Sequence, residues 1–129
     1  MSDSEDIEDI RAKKREELTA KAGSPSEPVH VNGAGHLEEL LEENHVALVD
    51  FYADWCGPCK MLEPTVEELA AETNAAVLKV DVDAHQNIAQ QYQVQGVPTL
   101  YLFVDGEPAD RMVGVQEKAS LANKIEQHA

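Results

Sequence analysis

A chain of 129 residues can bury one core but not two independent ones, and its apolar runs fall far short of the roughly 18 residues that a membrane span needs. Its 25 acidic residues against 10 Lys and Arg leave a formal net charge of -15, and no basic run interleaved with aromatics offers a surface for phosphates. Nucleic acid and membrane are therefore not expected partners. The start of the chain is charged from Asp3 onward and lacks the apolar core of a secretory signal, so the expected compartment is the cytosol. An acid excess of this size repels itself in dilute salt, and counterions screen it. It points to a high-salt cytoplasm and a stability that rises with salt, the plainer alternative being that acidity only maintains solubility.

Residues 1–28 differ from the rest. They are rich in charge and end in Gly23-Ser24-Pro25-Ser26-Glu27-Pro28, a helix-breaking stretch, so we place a boundary there, with a globular domain over 29–129. Between Ser4 and Ala22 a marginal helix is expected, with Asp9/Lys13 and Glu17/Lys21 as opposite charges at i,i+4, although the apolar stripe stops after Ile10 except for Leu18. A solvated extension is the preferred reading over a partner-binding arm, and no function is assigned to it.

From Val29 the pattern alternates between strand-like runs and helical periodicity, which predicts an α/β fold with a sheet covered by helices on both faces. A short strand is expected near 29–31. A helix around 36–44 carries Leu37, Leu40 and Leu41, and the dense apolar run 46–53 suits a central strand. After Cys56, the spacing of Leu62, Val66, Leu69 and Ala70 predicts an amphipathic helix to about residue 73, kinked at Pro64. A strand at 77–82, a short helix at 85–92 and a strand at 99–104 follow. Asp105-Gly106 supplies a hairpin signal, and Met112 and Val113 belong to the returning strand, which Pro108 marks as an edge. A helix over 117–127 bearing Leu121 and Ile125 closes the order βαβαβαββα.

Both cysteines of the chain lie in Trp55-Cys56-Gly57-Pro58-Cys59-Lys60. At the start of a helix, residues i and i+3 share a side, within the Cα separation of about 4.4 to 6.8 Å that a disulfide requires. Cys56 and Cys59 can therefore open and close. Unpaired N–H groups and the positive end of the helix dipole favour thiolate over thiol at Cys56. Pro58 suits the first turn, where its missing N–H loses nothing, and Gly57 leaves the approach to Cys56 open. The same spacing also serves as half of a tetrahedral zinc site. The other half is absent, because His30, His36, His45, His85 and His128 are scattered, so no metal is expected.

The segment Val49-Asp50-Phe51-Tyr52-Ala53-Asp54-Trp55-Cys56-Gly57-Pro58-Cys59-Lys60 closely resembles the active-site segment of the thioredoxin family. Resemblance continues through Gly96-Val97-Pro98-Thr99, Asp105-Gly106 and Val113-Gly114, and covers residues 29–129 but not the extension. It implies the thioredoxin fold, with a central mixed β-sheet flanked by helices, and disulfide reductase activity. With the acidity, it makes a halophilic archaeon the expected source.

Asp50 interrupts an apolar strand, so burial is expected to raise its pKa. The resemblance implies that it sits behind the cysteines and assists deprotonation of Cys59, with Lys79 as the lysine near it, although a solvent-facing strand lysine is a close alternative. The resemblance also implies a cis bond before Pro98. It further implies that the backbone of Val97 pairs with an extended substrate segment, and that Trp55 and Gly114 complete the docking surface. Tyr52 departs from the family, where many members carry a second tryptophan. In the expected mechanism, thiolate Cys56 attacks a target disulfide and Cys59 resolves the mixed disulfide. The only redox group expected is the Cys56–Cys59 pair, since no glycine-rich loop for a nucleotide or flavin is present. Electrons would come from a flavin-containing thioredoxin reductase, the partners would be disulfide-containing proteins, and a monomer is expected. Two alternatives share the fold: an oxidant or isomerase, against which Gly57-Pro58 resembles the reducing branch, and a non-catalytic module gripping extended chains around Trp55, against which both cysteines argue.

Overall fold

The computed structural model describes residues 24–129, so the helix expected between Ser4 and Ala22 lies outside the described residues. Two-residue side-chain alternation organises everything that follows. In the central strand, residues 46–51 are all buried, which requires packing against both of its faces. The elements are β1 (Val29–His30), α1 (Ala34–Glu43), β2 (Val46–Tyr52), α2 (Gly57–Glu72), β3 (Ala76–Asp81), α3 (Gln86–Gln91), β4 (Thr99–Val104), β5 (Glu107–Val113) and α4 (Lys118–Glu126). This is the expected βαβαβαββα order. They form one five-stranded mixed sheet with spatial order β1-β3-β2-β4-β5. β3 runs parallel to β1 and β2, while β4 is antiparallel to β2 and β5.

One face of the sheet carries Val46, Leu48, Val77, Leu100 and Leu102 against Leu62, Val66, Leu69 and Ala70 of α2 and Leu121 and Ile125 of α4. The other carries Ala47, Val49, Phe51, Leu78, Val80 and Phe103 against Leu37, Leu40 and Leu41 of α1 and Ile88 of α3. Asp50 belongs by alternation to the α2 face, as does Lys79, and the two are direct cross-strand partners in the register of β2 and β3.

Pro64 lies inside α2, which continues through it to Glu72. Asp105 and Gly106 both have positive φ, 54° and 83°, the backbone of a two-residue hairpin turn between β4 and β5. β5 is the edge strand that Pro108 implies. It also contains a register shift, since Leu102 faces Asp110 whereas Phe103 faces Pro108, leaving Ala109 as an extra residue. Among the described residues no helix is long and apolar enough to cross a membrane.

Candidate active site

β2 delivers the chain to the cysteines. After Tyr52 a turn places Cys56 at the N-cap of α2, with Pro58 in the first helical turn. Cys56 and Cys59 form a disulfide with their Cα atoms 5.3 Å apart, within the separation expected of residues one helical turn apart. The Cys59 N–H donates to Cys56 Sγ at 3.1 Å, so the sulfur occupies the capping position that an oxygen usually fills. Both cysteines are buried, whereas Gly57 and Pro58 between them are exposed.

The residues named from sequence as a docking surface converge here. Cys56 Sγ lies 3.7 Å from the carbonyl oxygen of Val97, and the Val97–Pro98 peptide is cis. The Gly114 N–H donates to the Pro98 carbonyl at 2.8 Å, and Gly114 has φ 92°, a backbone conformation that favours glycine. Trp55 is 71% exposed, and with Val82, Val94, Gln95, Gly96 and Val97 it lines a cavity of about 100 Å³.

Two further residues support this surface: Asp83, which carries no signal in the sequence, and Thr99, the last residue of the Gly96-Val97-Pro98-Thr99 segment. Asp83 accepts a 2.9 Å hydrogen bond from Trp55 Nε1, which fixes the indole edge above that cavity. The buried Thr99 hydroxyl donates to the Gly96 carbonyl at 2.6 Å and closes the loop before β4.

Beneath α2, Asp50 is fully buried and neither carboxylate oxygen has a hydrogen-bond partner. Burial pushes its pKa up to about 6, against the opposing attraction of Lys79, while Glu63 adds to the rise. Lys79 is only 6% exposed, contrary to the solvent-facing alternative, because its stem is covered by the α2 face. Its Nζ lies 3.3 Å from Glu63 Oε2 and 4.4 Å from the centre of the Tyr52 ring. Glu63 is four residues beyond Cys59 on α2, a spacing that puts the two on one side of the helix. Among the described residues no group of three or more His, Cys, Asp or Glu is arranged to hold a metal.

A disulfide closed within one helical turn, next to open backbone and an exposed tryptophan, can exchange with a thiol of another protein, and its dithiol form with a disulfide there. The molecule is a thiol–disulfide oxidoreductase. A family model for thioredoxin matches residues 27–127, and the chain belongs to the thioredoxin family. Thioredoxin of Staphylococcus aureus is 51% identical over 88 residues, covering 67% of this chain and 85% of that protein. A point-mutant thioredoxin from Halobacterium salinarum superimposes with a TM-score of 0.80 at 53% identity, covering 81% of this chain and 93% of the other. Schistosoma mansoni thioredoxin gives a TM-score of 0.74 at 35% identity, covering 82% and 99%. The activity is protein-disulfide reduction through a cysteine pair, and the Cys56–Cys59 disulfide is the redox-active group.

Proposed function

We propose that, within this reductase, Cys56 is the attacking thiolate and Cys59 the resolving thiol. The observation that carries the assignment is the position of Cys56 Sγ at the N-cap of α2, receiving the Cys59 N–H. In the dithiol state the same N–H and the helix dipole favour negative charge on that sulfur. Thiolate Cys56 attacks one sulfur of a target disulfide, and the other target sulfur leaves as a thiolate. Cys59 then loses its proton and attacks Cys56 Sγ, which expels the second target thiolate. Two electrons pass to the target, and the pair is left as the Cys56–Cys59 disulfide.

Asp50 is the acceptor for the Cys59 proton. A buried carboxyl without partners, raised to about 6, can take and return a proton near neutral pH. Lys79 is the cation beside it, Gly57 and Pro58 tune the pair, and Trp55, Val97, Pro98 and Gly114 receive an extended segment of the target. The oxidised pair is recharged by a flavin-containing thioredoxin reductase. We place the protein, as a monomer, in the cytosol, where thiols are kept reduced. The catalytic domain spans 29–129 behind an extension over 1–28, a division supported by a family match that begins at residue 27. The net charge of -15 supports a salt-adapted protein of a halophilic archaeon, while its relatives include bacterial and archaeal thioredoxins alike.

The test is reduction of a disulfide-bonded model protein with excess small dithiol, comparing wild type with Cys56→Ser at low and molar salt. Turnover should fall at least about 100-fold in the variant, the scale of losing an activated nucleophile; undiminished turnover would overturn the assignment. Thermal unfolding in the same buffers tests salt adaptation, and a midpoint indifferent to molar salt would refute it.

A further inference from the structure

Glu63 links Lys79, the cation beside Asp50, to solvent. Its carboxylate is half-exposed, and its partner Lys79 is almost fully buried, so the ion pair has one wet end and one dry end. Both side chains line a cavity of about 300 Å³ together with Glu27, Pro28, His30, Val66 and Glu67. Lys79 stands opposite Asp50 across β2 and β3, where neighbouring strands lie about 4.8 Å apart. Asp50 has no hydrogen-bond partner of its own, so its charged state depends on how much of the Lys79 ammonium it feels.

The charges that act on Asp50 are Lys79 from β3 and Glu63 from α2, with Tyr52 on its own strand and Leu100 of β4 in register. His30 of β1, in register with Lys79, and Glu27 and Glu67 line the same cavity as the ion pair. Among the described residues Glu63 is the carboxylate that forms an ion pair with Lys79.

We propose that Glu63 is a positioning residue for the proton step: it holds the Lys79 ammonium at the cavity and away from Asp50, and so sets the pH at which Asp50 gains and loses its proton. This rests on the assignment of Asp50 as acceptor of the Cys59 proton. With Glu63 in place, part of the lysine's field is spent on an opposing carboxylate, and Glu63's own charge adds to the repulsion of a second negative group. Both effects act in the same direction and keep Asp50 protonatable near neutral pH. Removing the Glu63 charge releases Lys79 toward Asp50 and favours the ionised carboxyl.

Carbon-13 NMR titration of the Asp50 carboxyl in the oxidised protein reads this directly, because no cysteine thiol titrates in that state. Glu63→Gln should move the Asp50 midpoint downward by about 0.5 to 1 pH unit, the scale of one charge acting through several ångström of partly screened medium. Glu63→Asp, which keeps the charge, should return it toward the wild-type value. In a Lys79→Gln background the effect of Glu63→Gln should shrink by at least about half, as expected of coupled groups. An unmoved midpoint in Glu63→Gln overturns the proposal, and so does a shift of equal size with and without Lys79. The underlying assignment fails separately: if Asp50→Asn reduces target disulfides with the wild-type pH profile, Asp50 is not the proton acceptor, whatever the NMR midpoints show.

Discussion

The two faces of the sheet are built from the same strands and solve different problems. On the α1 and α3 side, Phe51, Tyr92, Tyr101 and Phe103 form a ring cluster with centroids 5.5 to 6.1 Å apart, and the Tyr101 hydroxyl donates to the Tyr92 carbonyl at 2.7 Å. On the α2 side, two positions of the same strands hold Asp50 and Lys79 instead of apolar residues. One face is closed and complete. The other keeps a buried carboxyl unsatisfied, which lowers stability and supplies a group whose proton moves near neutral pH.

The largest effect tests the closed face. Phe51→Ala should cost about 3 to 5 kcal/mol in urea unfolding, because the ring is fully buried and its neighbours are fixed by both strands. It should leave the Asp50 titration where it is. A shifted Asp50 midpoint in a folded Phe51→Ala protein would mean that the faces are not independent.

Asp50→Asn tests the open face. The unfolded carboxyl titrates near 3.8 and the folded one at about 6, so the native state holds the proton more tightly. The associated stability is present in full below about pH 4 and is lost as pH rises through 6, a total of about 3 kcal/mol. Asn carries no such charge, so the variant should exceed wild type by up to about 3 kcal/mol at pH 8, less whatever its unpartnered amide costs, and the gap should close by pH 3.5. Urea unfolding at the two pH values measures this. A constant difference between them would remove the titration argument.

A smaller effect is expected at the rim. Asp83→Ala frees the Trp55 indole from its 2.9 Å bond, and the loss of one hydrogen bond should raise KM for a protein disulfide about fivefold while kcat holds. A fall in kcat at unchanged KM would place Asp83 in the chemistry instead of in docking.

The element order was legible because strand runs and helical spacings alternate cleanly from Val29 onward, and the ends of the elements differ from expectation by only a residue or two. Asp50 was legible as well, since an acid inside Val46–Tyr52 has nowhere exposed to go. Lys79 was ambiguous for a physical reason: a lysine on a strand ordinarily reaches water, and only the packing of α2 over β3 denies it that. Glu63 and Asp83 were invisible because their roles come from partners 16 and 28 residues away, Lys79 and Trp55, and no local pattern encodes such pairs. The bulge at Ala109 escaped for a similar reason, being a property of the β4 and β5 register and not of either strand alone.

The smallest effect lies on neither face, where β2 begins. His45 Nδ1 lies 2.6 Å from Asp105 Oδ1 and Nε2 lies 2.8 Å from the His128 carbonyl, so only the imidazolium can donate to both acceptors. The hydrogen bond to Asp105 raises its pKa above the ordinary 6.5, with the His128 carbonyl adding to the rise and slight desolvation opposing it. A raised folded pKa means stability present below about pH 6.5 and lost as pH climbs past the folded value. Both partners are largely exposed, 47% and 74%, so water and salt screen the contribution. His45→Gln should therefore lower the unfolding midpoint slightly at pH 5.5, and not at all at pH 8.5 or in molar salt. The Asp50 effect runs through the same pH range and should survive the salt, because no counterion reaches a fully buried carboxyl. If molar salt erases both differences, the contrast between a dry, unpaired group and a wet, paired one is not what separates these two sites.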